Sequence, residues 1–199
     1  MDRRELFNLP NCLTLSRIVL TPLFLGLLFA DLWYWKALAF AVFGAAALTD
    51  FYDGRLARAG NRVTALGRFL DPLADKVLVT SALVAFALGR VVHFWLVVPI
   101  VVRDVAITVL RLHGMYRGRQ MVTSRLAKWK TAFQLSAVAL LLLAVALQEV
   151  LARFRPGSAA TDGAWVAVLG NGLMGAVLLL TLASGLHYLF RASFICPRS

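Results

Sequence analysis

Six apolar runs, each long enough to cross a hydrocarbon core of about 30 Å, follow one another along this 199-residue chain. A backbone in lipid must satisfy its own N–H and C=O groups, so runs of this kind form helices packed side by side. The expected fold is therefore all-α: a polytopic membrane protein with six transmembrane helices, built as a single domain over residues 1–199. The expected spans are Leu13 to Ala30, about Tyr34 to Asp53, Phe69 to about Gly89, about His93 to Leu112, Thr131 to about Val150, and Ala164 to Phe190. Composition agrees. Hydrophobic residues make up 60% and charged residues only 16%, against about 25% charged in soluble domains. Arg3 and Arg4 precede the first run, but no small-residue cleavage site follows, so it reads as a retained span. Pro10 suits a turn before that span.

The formal charge of +11 could point to nucleic acid. The basic residues, however, sit in short segments between apolar runs, where the positive-inside rule puts them in the cytoplasm, and no soluble fold carries the charge. Nucleic acid is therefore not an expected partner. Segments 55–68 and 112–130 and both termini hold most of the lysines and arginines, whereas the opposite turns hold Lys36, Arg90, Arg153 and Arg155. Trp33, Trp35, Trp95 and Trp165 mark the outer boundary in the same register. The expectation is a multi-pass protein of the plasma (inner) membrane, in contact with membrane lipids, with both termini cytoplasmic. Cys12 and Cys196, and His93, His113 and His187, have no metal-pair or disulfide spacing. Gly44 to Ala47, and glycines 170, 172, 175 and 185, suggest close helix packing. Arg17, one turn inside the first span, can snorkel toward the headgroups or point into a polar cavity, and taken alone snorkelling is favoured.

Against this apolar background, four of the ten acidic residues stand in one stretch, Asp50, Asp53, Asp71 and Asp75. Spacings of three and four put each pair on one face of a helix. An ionised Asp costs about 2.5–3.5 kcal/mol at a span centre, so four of them need compensation, which cations can supply. Oxygen ligands without His or Cys suit hard Mg2+, Mn2+ or Ca2+, and four carboxylates balance two divalent ions. Gly54, Ala57 and Gly67 allow a phosphate-bearing ligand close to the backbone, and Arg58 follows one turn later with a guanidinium suited to phosphate oxygens. Arg103 and Asp104 lie inside the fourth span, as a functional pair or a structural one. A divalent-cation channel or transporter is the reading from another class, but the arginines and small residues around the acids fit an anionic ligand better.

The pattern Asp50-x2-Asp53-Gly54-x2-Ala57-Arg58-x8-Gly67-x3-Asp71-x3-Asp75 resembles that of the CDP-alcohol phosphotransferase family at every fixed position. The resemblance implies a six-helix, usually homodimeric membrane enzyme with two divalent cations, Mg2+ or Mn2+, and a cytidine diphosphate-linked donor. It makes Asp50, Asp53, Asp71 and Asp75 the metal site and Asp75 the general base as well. Gly54, Ala57, Arg58 and Gly67, with Asp50, Asp53 and Asp71, would hold the cytidine diphosphate portion. The segments Asn8 to Arg17, Asp71 to Lys76 and Ala127 to Gln134 look like the branch that forms phosphatidylglycerophosphate from CDP-diacylglycerol and glycerol 3-phosphate. Val102-Arg103-Asp104 departs from the Gly-Arg-Glu of many such members; the acid is kept but shortened. Cardiolipin synthase-type members, or others using a different acceptor, are the nearest alternative. An acceptor that carries its own phosphate needs a second cationic site, for which Arg103, Arg111, Lys128 and Lys130 are the candidates.

Overall fold

The computed structural model describes residues 9–60, 65–116, 125–155 and 163–195, with side chains for 16–49, 76–110, 112–114, 116, 127–155 and 163–186. Six helices account for nearly all of it: α1 Leu9–Phe29, α2 Trp33–Gly60, α3 Ala65–Leu88, α4 Phe94–Tyr116, α5 Arg125–Phe154 and α6 Ala164–Ile195. Among the described residues there is no strand, so the all-α expectation holds. Among the described residues, two helical segments, Ala127–Phe154 and Ala164–Leu186, are long and apolar enough by themselves to cross a membrane.

The helices close into a ring. α1 packs on α2, α2 on α5, α5 on α6, α6 on α4, α4 on α3, and α3 back on α1, while α3 also touches α5 across the middle. Phe24 of α1 and Phe43 of α2 are both inaccessible, with ring centroids 5.7 Å apart. Leu83 and Phe86 of α3, Ile100 of α4, Leu141 and Leu142 of α5, and Met174 of α6 continue the core. Large apolar side chains also cover the outside, among them Val19, Leu48, Val102, Val168 and Leu179. A water-soluble protein avoids such a surface, and a lipid-embedded one requires it.

Local chemistry sets the helix ends. Pro10 lies within the first turn of α1 instead of before it, where its missing N–H removes no helical bond. Lys36 donates to the Ala30 carbonyl just past the end of α1, 2.7 Å away. Arg90, in the left-handed conformation with φ 57°, ends α3, and the N–H groups of Val91 and Val92 turn back to the Phe86 carbonyl. At the start of α4 the backbone N–H of His93 donates to Asn171 Oδ1 of α6 at 2.8 Å. Trp33 and Phe154 meet edge to face at 5.6 Å, bringing the start of α2 beside the end of α5.

Three sequence expectations change here. The basic link of 55–68 is mostly helix: α2 runs on to Gly60 and α3 resumes at Ala65. Arg17 is buried among the helices and does not snorkel. Of the glycines taken as packing positions, Gly170 does sit against Leu141 and Val92, whereas a Cβ at Gly44, Gly172 or Gly175 would meet nothing within 4 Å. Gly172 is exposed and Gly44 and Gly175 are half-buried, and at none of the three does the missing side chain make room for a neighbouring helix.

Candidate active site

Asp50 and Asp53 lie in α2, about two to three turns before its end, and Asp71 and Asp75 lie in the opening turns of α3. Helical geometry therefore holds for both halves of the motif, and spacings of three and four keep each pair on one helix face. Gly54, Ala57 and Arg58 belong to α2, and Gly67 to α3. The side chains of these eight residues, like that of Arg111, lie outside the described residues. The donor set is four carboxylates without His or Cys, which is the chemistry of a hard-cation site. Among the described residues no three His, Cys, Asp or Glu side chains assemble elsewhere into a competing metal site.

Beside the motif, four helices converge on one charged cluster. Asp104 of α4 is 2% exposed. The Lys130 ammonium of α5, itself 1% exposed, donates to Asp104 Oδ1. Arg103 donates from one terminal nitrogen to the same oxygen at 3.3 Å and from the other to Ser184 Oγ of α6 at 2.8 Å. Lys76 of α3 stands 3.7 Å from Asp104 Oδ2. Ser184 in turn donates to the Thr181 carbonyl, and Thr108 to the Asp104 carbonyl, so the hydroxyls around the cluster are satisfied inside their own helices. Burying charge in the apolar interior is tolerated only with partners. Here one carboxylate serves three cations.

Of the four cations expected to bind an acceptor phosphate, Arg103 and Lys130 come together on Asp104. Lys128, two residues from Lys130 and on another face of α5, is exposed. Lys76 and Ser184 carry no role in the sequence-based reading. Lys76 had a signal, since it directly follows Asp75 and is a charge in the opening half of an apolar span. Ser184 had none, because a single serine in a membrane helix is ordinary. A shallow apolar cavity of about 220 Å3, lined by Leu25, Phe29, Val84 and Leu88 among others, opens between α1 and α3 toward their C-terminal ends, away from the charged cluster. Apart from the hydroxyls of Thr80 and Ser81 its lining is apolar, with no charged group to bind a phosphate.

A profile of the family described as CDP-alcohol phosphatidyltransferase matches residues 7–185. Among curated relatives, a probable phosphatidylglycerophosphate synthase of Mycobacterium tuberculosis is 37% identical over 193 residues, 96% of this chain and 84% of that protein. The CDP-diacylglycerol–glycerol-3-phosphate 3-phosphatidyltransferase of Escherichia coli is 35% identical over 191 residues, 94% of this chain and 95% of its own length. The enzyme of the same name from Bacillus subtilis is 40% identical over 150 residues, covering 69% and 78%. A match that runs through all six helices and spans the whole aspartate motif leaves one conclusion: the chain belongs to the CDP-alcohol phosphatidyltransferase family.

Proposed function

We propose that this enzyme transfers the phosphatidyl group of CDP-diacylglycerol to glycerol 3-phosphate, giving phosphatidylglycerophosphate and CMP. The observation that carries the choice of acceptor is the cation-rich cluster of Lys76, Arg103 and Lys130 on the helices next to the motif, with Lys76 immediately after Asp75. An acceptor with its own phosphate needs such a site, and an uncharged alcohol does not. The names of the relatives support the same acceptor.

In this reading Asp50, Asp53, Asp71 and Asp75 hold two divalent cations, Mg2+ or Mn2+, which when bound offset charge on the diphosphate and on the leaving CMP. Gly54, Ala57 and Gly67 allow the nucleotide close to the backbone, and Arg58 supplies the cation for its phosphates. The primary hydroxyl of glycerol 3-phosphate attacks the lipid-linked β-phosphorus, and the bond from that phosphorus to the bridging oxygen breaks. Asp75 takes the hydroxyl proton, and the bridging oxygen leaves with CMP. Arg103 and Lys130 hold the acceptor phosphate, with Arg111 contributing from the same end of α4, whereas Lys128, exposed on another face of α5, stands apart from them.

Helix lengths support a cytoplasmic site. At about 1.5 Å per residue, the 28 residues of α2 span roughly 42 Å, more than the hydrocarbon core of about 30 Å. If Trp33 marks the outer interface, the inner boundary falls near Asp50 and Asp53. All six helices then cross the membrane, the basic ends of α2, α4 and α5 face the cytoplasm, and the enzyme works as a homodimer. The test is CMP release by the purified protein with CDP-diacylglycerol and, in parallel, glycerol 3-phosphate, phosphatidylglycerol, inositol phosphate or serine. Release with glycerol 3-phosphate that depends on Mg2+ or Mn2+ is expected. Release with phosphatidylglycerol alone would make it a cardiolipin-forming enzyme, and cation flux without CMP release would make it a channel.

A further inference from the structure

We propose that Asp104 is a positioning residue for the acceptor: it gathers Lys76, Arg103 and Lys130 into one receptor whose uncompensated charge matches a phosphate monoester dianion. The inference rests on the reading that the acceptor bears a phosphate. Three cations face one carboxylate, so two positive charges remain over, and a phosphate monoester carries about −1.5 to −2 at pH 7. The charges balance when the acceptor is bound.

The layering has the correct order for this task. Asp104 and Lys130 are at the bottom of the cluster, 2% and 1% exposed, while the Arg103 and Lys76 side chains are 19% and 26% exposed. An incoming anion meets cations before it meets the carboxylate. Arg103 is held at both terminal nitrogens, by Asp104 and by Ser184, while its buried Nε has no partner among the described residues. A guanidinium held at both terminal nitrogens has its plane fixed before any ligand arrives. The 3.7 Å separation between Lys76 and Asp104 is long for a charged hydrogen bond. Lys76 is thus drawn toward the cluster without being consumed by it. Without Asp104, three like charges carried on three helices would repel one another and the receptor would spread.

The experiment compares wild type, Asp104→Asn, Asp104→Glu and Lys76→Gln as purified, full-length enzymes, with both substrates varied. Asp104→Asn is expected to raise KM for glycerol 3-phosphate about ten-fold or more, as loosened charge-assisted contacts would. Turnover at saturation and KM for CDP-diacylglycerol should stay within about three-fold. Inorganic phosphate, used as a competitor of the acceptor, should weaken in parallel. Asp104→Glu, which restores the charge, should recover most of the loss. A purely structural Asp104 would instead reduce the amount of active enzyme and leave KM alone, and that result overturns the proposal. Should Asp104→Asn not fold, Lys76→Gln carries the measurement, because Asp104 keeps two partners; an unchanged acceptor KM there overturns the proposal equally. Wild-type turnover with glycerol 3-phosphate but no KM effect in any variant sinks this inference alone. Wild-type turnover with serine and none with a phosphate-bearing acceptor sinks the functional reading as well.

Discussion

Asp104 is a carboxylate in a place where ionisation is costly, and its neighbours make it tenable. Removing the charged partner of a buried ion pair leaves the other uncompensated, at a cost of about 3–5 kcal/mol. Asp104→Leu strands three cations at once and is expected to cost in that range, seen as a lowered thermal-unfolding midpoint in detergent. Lys130→Met should cost less, because Arg103 and Lys76 still face Asp104. Asp75→Asn should behave oppositely. It changes a group assigned to proton transfer, so turnover should fall about 10²–10⁴-fold with little loss of stability; near-normal turnover would remove Asp75 as the base. At this scale the acidic motif was legible because a carboxylate in an apolar chain is conspicuous, and its spacing names a helix face. Beyond the adjacent Arg103, the partners of Asp104 were not, because Lys76 and Lys130 are far from it in sequence and meet it only through packing.

Helices in lipid gain little from hydrophobic burial against one another, so their association depends on close fit and on caps. Gly170 is one such fit: a Cβ there would stand 3.1 Å from both Leu141 and Val92. Gly170→Val should therefore destabilise by about 1–3 kcal/mol through overpacking, whereas Gly172→Ala, with open space around it, should be nearly neutral. Paired thermal-unfolding measurements check both. Gly163 opens α6 with φ +68°, and a Cβ would press on the Gln148 amide; Gly163→Ala should cost about 1–2 kcal/mol for the left-handed conformation alone. The existence and order of the elements were readable from apolar runs of membrane length. Their ends were not, because α2 continues through Arg55 and Arg58, polar residues that helix propensity tolerates and hydropathy ends too early.

Over the whole molecule, the ring order α1–α2–α5–α6–α4–α3 brings α3, α4, α5 and α6 to one charged cluster. Orientation across the membrane is tested by thiol labelling of intact cells in a background with Cys12 and Cys196 replaced by Ser. A cysteine at exposed Arg155 should react with an impermeant reagent from outside, and one at exposed Lys128 only after the membrane is opened. The reverse pattern would invert the topology and put the motif on the wrong side for a cytoplasmic nucleotide.

The sequence by itself determined what short-range physics reads: six apolar helices, basic segments between them, and four carboxylates at helical spacing, from which a hard-cation site is expected. Only the tertiary structure decided which charges share a space. It buried Arg17, separated Lys130 from Lys128, and joined Lys76, Arg103, Lys130 and Ser184 around Asp104. Periodicity along one helix is a local property of neighbouring residues, whereas the partner of a buried charge is set by which helices close the ring.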